Sequence, residues 1–260
     1  MSIDIKIKDN FNDIRIHYGN IKNYKTYKLL PGITVLIGCN GYGKSTTVNE
    51  IKQYLTGNEI AFCSFDGTRM GADYTKSYAL AKGNFTVGAT IMQSSEGEGL
   101  IISFGEYVKE IHQMASRCKS NNKPFILFCD AIDSGLSIDK VQVVKHFLFV
   151  VLDDLIRNGV EAYIVTTANT FEMCRSDTID SKFKDYFRCM DPYKLQNIQF
   201  TDYNDYEKFI LKTSKIVKKR YDVKPDDSDD KGEPRPNSIC SHARKFDQTK
   251  EMREGEKYEK

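Results

Sequence analysis

The stretch Gly38-Cys39-Asn40-Gly41-Tyr42-Gly43-Lys44-Ser45 constrains this chain more than any other. It fills every fixed position of G-x-x-x-x-G-K-[ST]. Glycines at these places let the backbone turn tightly and bring amide N–H groups against phosphate oxygens. A helix that follows aims its positive N-terminal end at the same anion. Lys44 is then within reach of β- and γ-phosphates, and the Ser45 hydroxyl is placed to ligate Mg²⁺. At average residue usage, a chance match somewhere in 260 residues has a probability of about 1%. The flanks agree with the pattern. Ile33-Thr34-Val35-Leu36-Ile37 is a nearly unbroken β-branched run, suited to a strand buried on both faces, and residues 45–55 read as a helix.

Strands and helices alternate beyond this point. Residues 60–66, 125–129 and 162–165 read as strands, and 99–116, 141–157 and 205–221 as helices. Residues 67–84 are polar and irregular, and 85–92 read as a further β-rich run. Upstream, Ile3, Ile5 and Ile7 alternate with polar residues, as do Ile14 and Ile16, which predicts short N-terminal strands before the Pro31-Gly32 turn. The expected fold is α/β: a phosphate-loop domain with a mixed sheet flanked by helices and N-terminal antiparallel strands. That domain is expected over residues 1–222. Residues 223–260 mix Asp, Lys, Glu, Pro and Ser with few apolar groups and read as a charged, disordered tail.

The loop resembles the form G-x-N-G-x-G-K-S-T, through Asn40-Gly41 and Gly43-Lys44-Ser45-Thr46. That form is typical of ABC-class ATPases and the AAA-labelled proteins related to them. The resemblance implies ATP and Mg²⁺ as cofactors, held by Gly38, Asn40, Gly41, Gly43, Lys44, Ser45 and Thr46. It also implies an apolar strand ending in a carboxylate, and residues 125–130 (FILFCD) supply it, with Asp130 beside Ser45 on the metal. Ser95-x-Gly97-Glu98 resembles the signature motif, which closes on the γ-phosphate bound by a second subunit. The same residues also fit an ordinary capping box. Ser134-Gly135-Leu136-Ser137 resembles the D-loop. Asn169, after the strand at 162–165, stands near the place where many relatives carry a γ-phosphate-sensing histidine. Asp66 is a counterpart for the Q-loop residue, and Tyr18, Tyr24 and Tyr27 are candidates to stack on adenine.

One position departs from the family. Ala131 follows Asp130 where most such ATPases carry the glutamate that polarises the attacking water, and alanine cannot take a proton. Asp133 follows close enough in sequence to substitute in part, a carboxylate elsewhere such as Glu96 or Glu98 is a further candidate, and Asp133 joins Asp130 as a candidate catalytic residue. Only about fifty residues separate the phosphate loop from Ser95. That leaves no room for a transporter's helical subdomain or a coiled-coil arm. The resemblance is therefore to a compact non-transporter head like those of chromosome-maintenance and recombination-repair ATPases, phage or bacterial. It implies an ATPase that sandwiches two nucleotides in a homodimer and passes the switch to DNA or a protein partner. The alternatives are an ATP-gated scaffold with little or no hydrolysis, and a P-loop kinase, which would have no use for the signature-like and D-loop-like stretches.

Composition narrows the surroundings. A net charge of +2, 28% charged and 40% hydrophobic residues describe an ordinary globular chain and name no partner. Lys212, Lys215, Lys218, Lys219 and Arg220 form a basic stretch that suits either phosphate binding or a solvated helix face. No stretch approaches the length of a membrane span, and Met1 to Asp9 lacks a signal peptide's apolar core. The expectation is a cytoplasmic protein without membrane insertion. The seven scattered cysteines read as free thiols, and the short Cys240-x-His242 pair is a weak zinc candidate.

Overall fold

The computed structural model describes residues 2–8, 24–70, 77, 79–81 and 83–221. All of them belong to one compact unit, Met1–Val223. The expectations for Ile14, Ile16, Tyr18, the side chains of Tyr24, Glu96 and Arg220, the Cys240–His242 pair and the tail lie outside the described residues.

Six strands make one sheet: β3 (Gly32–Ile37), β4 (Phe62–Asp66), β5 (Phe125–Asp130), β6 (Ala162–Ala168), β7 (Phe187–Asp191) and β8 (Gln196–Ile198). Their order is β4–β5–β6–β3–β7–β8. The first five run parallel, and β8 pairs antiparallel to β7. A separate antiparallel pair joins β1 (Ile3–Lys8) to β2 (Tyr24–Leu29). Helices α1 (Lys44–Gly57), α2 (Phe85–Gln93), α3 (Glu96–Ser120), α4 (Ile138–Arg157), α5 (Phe171–Cys174) and α6 (Tyr203–Tyr221) complete the described fold, with a 3₁₀ turn at Ser181–Tyr186.

Both faces of the sheet are covered, which is why its central strands are apolar without interruption. Ile33, Val35, Phe125, Leu127, Ala162 and Ile164 face a core shared with α3 and α4. Their alternate neighbours Leu36, Ile126, Phe128, Tyr163 and Val165 face a second core shared with α1, β1 and β2. Fully burying a side chain such as Phe128 or Leu127 contributes about 1.5–3 kcal/mol each. The alternation expected of β1 holds: Ile5 and Ile7 are buried against α1, while Asp4 and Lys6 are exposed. Tyr27, a candidate for adenine stacking, is buried in this second core.

Residues 85–92 are the clear correction, because they form α2 and not a strand. Asn84 caps the helix, its side chain accepting from the Val87 N–H at 3.4 Å. The buried positions, Gly88 and Ile91, then fall one turn apart on one face. Tertiary burial of that face outweighs the β-preference of Phe85, Thr86 and Val87. The six described cysteines are free thiols. Among the described residues, no helix is long and apolar enough to cross a membrane.

Candidate nucleotide site

The carboxyl ends of β3, β4, β5 and β6 converge on one edge of the sheet, where open α/β sheets bind ligands. Strand β3 ends at Ile37 and releases the glycine-rich loop, which closes with a hydrogen bond from the Tyr42 N–H to the Cys39 carbonyl at 3.1 Å. Gly41 and Gly43 adopt φ of 77° and 106°, the left-handed region that a side chain resists. Gly38 is required for another reason: a Cβ there would stand 2.3 Å from the Tyr42 ring.

Gly43 caps α1 without a side chain, so the first N–H groups of the helix, from Lys44, Ser45 and Thr46, have no intrahelical acceptor. They and the helix dipole form a ready anion site. Asn40, Gly41, Ser45 and Thr46 are exposed beside it. Lys44 arches back, its Nζ donating to the carbonyls of Gly38 at 2.6 Å and Cys39 at 3.1 Å. Burial pulls its ammonium below the ordinary lysine range, opposed by neighbouring acidic groups that include Asp133 and Asp130. An incoming phosphate would reverse that cost by supplying the missing counter-charge.

The metal-binding candidates meet here. Ser45 Oγ donates to Asp130 Oδ1 at 3.3 Å across 85 positions of sequence. Thr167, at the end of β6, donates its hydroxyl to the same oxygen at 2.6 Å and accepts the Ala131 N–H at 2.8 Å. Thr167 was not among the residues expected here. Its only sequence signal is its place near the end of a strand that turns out to lie between β3 and β5. One hydroxyl and one carboxylate, completed by phosphate oxygens and water, is the donor set magnesium prefers. Among the described residues no cluster of three metal-binding side chains occurs, so a magnesium here would depend on the nucleotide as well as on Ser45 and Asp130.

Ala131 itself sits at φ 53°, left-handed for a residue with a Cβ. The same turn packs against the loop after β4. The Gly67 N–H donates to the Asp130 carbonyl at 2.8 Å, and the turn packs so closely that a Cβ on Gly67 would meet the Ala131 carbonyl at 2.6 Å.

Asp133 is 2% exposed. Its Oδ2 accepts three hydrogen bonds, from the N–H groups of Asn169 (2.8 Å) and Thr170 (3.0 Å) and the Thr170 hydroxyl (2.8 Å). Its buried Oδ1 has no partner among the described residues. Burial lifts the Asp133 carboxyl above the usual carboxylate range, with the Asn169 and Thr170 hydrogen bonds opposing. Asn169 therefore meets the site through its backbone: its N–H holds Asp133, its carbonyl accepts the Tyr206 hydroxyl at 2.7 Å, and its side chain is exposed. Asp66 pairs in register with Asp130 and spends Oδ1 on Thr68 and Arg69 of the following turn.

Ser95 caps α3 in a reciprocal capping box with Glu98: Ser95 Oγ accepts from the Glu98 N–H at 3.4 Å, and Glu98 Oε2 accepts from the Ser95 N–H at 3.1 Å. Glu98 also lies 3.5 Å from Lys140 Nζ, so of the expected substitutes for a catalytic glutamate it is already committed twice. Gly97 packs beneath Leu136, where a Cβ would come within 2.9 Å, so the signature-like and D-loop-like stretches touch.

A mixed, mainly parallel sheet carrying a glycine-rich loop, a helix N-terminus for phosphate, and a serine beside a strand-end aspartate defines a P-loop nucleoside-triphosphate-binding protein. Residues 34–189, from β3 to β7, match the family described as the ATPase family associated with various cellular activities (AAA), and the chain belongs to that family. No curated protein matches the chain.

Proposed function

We propose that this protein is a magnesium-dependent ATPase of the compact ABC-class type, with its ATPase domain in residues 1–222, working in the cytoplasm as a nucleotide-sandwich homodimer. The observation that carries the reading is the group formed by Ser45, Asp130 and Thr167 at the mouth of the phosphate loop. Gly38, Asn40, Gly41, Gly43, Lys44, Ser45 and Thr46 would hold the phosphates, and Ser45 and Asp130 the magnesium. Bound Mg²⁺ would neutralise charge on the phosphate oxygens. The capped start of α3, with Ser95 and Gly97, is the surface offered to the second subunit's nucleotide. The switch passes from this dimer to DNA or a protein partner.

Hydrolysis in this scheme is slow. Ala131 puts a methyl group where a water-polarising carboxylate is needed. Asp133 is the nearby carboxylate in this reading, and its buried Oδ1 would have to open to the site before it took a proton from water. The three donors on Oδ2 favour a second reading, in which Asp133 only ties two loops together and the closed dimer is an ATP-gated scaffold.

Phosphate release and molecular mass, followed together with ATP and Mg²⁺, separate the two. Turnover in wild type that disappears in Lys44→Ala, and rises in Ala131→Glu, supports the ATPase. Nucleotide-driven dimerisation without phosphate release supports the scaffold. Nucleotide affinity retained in Lys44→Ala would remove the phosphate-loop assignment altogether.

A further inference from the structure

Helix α6 lies beyond the matched residues, yet it holds the nucleotide loops at two points. Thr213 Oγ1 accepts the N–H of Cys39, inside the phosphate loop, at 3.2 Å across 174 positions. About two turns earlier on the same face, the Tyr206 hydroxyl donates to the Asn169 carbonyl at 2.7 Å, and Asn169 in turn anchors Asp133. Tyr206, Phe209, Ile210 and Thr213 recur at i, i+3, i+4 and i+7, so they form the face laid on the domain. Phe209 and Ile210 pack on the core there.

The far side of the same helix is different. Lys208, Lys212, Lys215 and Lys219 recur at i, i+4, i+7 and i+11, and all are exposed. At about 1.5 Å per residue this row is roughly 16 Å long. From Lys208 to Lys219 the sequence KFILKTSKIVKK has five lysines and no acidic residue. Among the described residues, Asp205, at the start of the helix, forms an ion pair with the row, 3.7 Å from Lys208.

We propose that this row binds the phosphate backbone of nucleic acid, and that Thr213 couples its grip to the state of the phosphate loop. The proposal rests on the ATP-binding reading of that loop. Four lysines in such a row can neutralise up to about four phosphates of a duplex, which displaces their condensed counterions. A lipid surface fits poorly, because a helix lying on a membrane inserts its apolar face, and here that face is packed on the core. A protein partner fits less well too: interface cores are depleted of lysine and enriched in aromatics. Coupling follows from the contacts. A nucleotide that reshapes the loop around Cys39 must move or strain Thr213, and nucleic acid on the opposite face must then alter nucleotide affinity by the same factor.

The test uses the full chain, a fluorescein-labelled DNA duplex of about 24 base pairs and random sequence, and anisotropy between 50 and 200 mM salt. Wild type is expected to bind with an affinity that falls steeply with salt and changes at least about fivefold when ATP and Mg²⁺ saturate the loop. Lys212→Gln with Lys215→Gln should reduce the salt slope by about 2, weaken all duplex sequences alike, and leave ATP affinity unchanged. Thr213→Val should still bind the duplex but lose the ATP effect, and Thr213→Ser should keep it. A wild-type salt slope in the double lysine variant overturns the surface. A duplex affinity in wild type that ignores ATP overturns the coupling. Binding to anionic vesicles or an acidic peptide in place of the duplex overturns the choice of nucleic acid. A wild type that binds the duplex through this row and never binds ATP sinks the nucleotide reading and the coupling, and leaves the surface standing.

Discussion

Asp133 shows how one side chain can hold two loops around a site. Its carboxylate takes three donors from Asn169 and Thr170, the first residues after β6, and so fixes the turn after β5 to the turn after β6. Asp133→Ala would leave those donors without an acceptor inside the protein, and each orphaned buried group costs roughly 1–3 kcal/mol. The expected loss is about 2–5 kcal/mol, read from the urea midpoint. Asp133→Asn keeps one accepting oxygen and removes a buried charge, so it should stay within roughly 1–2 kcal/mol of wild type. If the asparagine variant is as unstable as the alanine one, the charge rather than the hydrogen bonds ties the loops. Thr167 works at the same scale. With one donor and two acceptor lone pairs, its hydroxyl fixes both the Asp130 carboxylate and the backbone of Ala131.

Lys145 shows what an element can impose on a residue. It belongs to α4 but is 5% exposed, its Nζ donating to the carbonyls of Glu172 (3.0 Å) and Arg175 and to the Thr178 hydroxyl (3.3 Å). An ammonium at the end of the short helix α5 thus satisfies carbonyls that its four residues cannot. Burial brings its pKa from the ordinary 10.5 down to about 8. Between those two values the unfolded chain binds the extra proton and the folded chain does not. Stability linked to Lys145 therefore rises as pH climbs from about 8 towards 10.5, and is flat below 8. The stability difference between wild type and Lys145→Met should accordingly grow from about pH 7 to about pH 10. A difference independent of pH would mean that Lys145 keeps an ordinary pKa. Helix α3 makes a related point, because its capping box fulfils the plain structural reading of Ser95, Gly97 and Glu98 while leaving the helix start exposed.

At the scale of the whole molecule, the proposed dimer depends on that exposed helix start. Ser95→Arg puts a bulky cation on the surface meant for the partner's γ-phosphate, far from the chain's own phosphate loop in sequence. Nucleotide binding by the monomer should persist while the ATP-driven rise in mass, measured by light scattering, is lost. An unchanged rise would take Ser95 and Gly97 out of the interface.

The phosphate loop and the strand ending in Asp130 were legible in the sequence because their signals are local. Positive φ at Gly41 and Gly43, a buried strand before them and a helix after them are properties of contiguous residues. The alternating covered faces of the sheet follow from the same short-range patterns. What the sequence could not place are the contacts that join distant segments. Thr167 meets Asp130 across 37 positions, Tyr42 meets Asp191 across 149, and Thr213 meets Cys39 across 174. Those pairs exist because β6 enters the sheet between β3 and β5, β7 lies on the other side of β3, and α6 returns to the loop edge. The helix at 85–93 was decided the same way, since burial of one face against the rest of the domain outweighs a local preference for strand. The sequence by itself determined the glycine-rich loop with its lysine and serine, and the tertiary structure decided which residues hold them in place, because a hydrogen bond needs about 3 Å and only the packed chain brings distant residues so close.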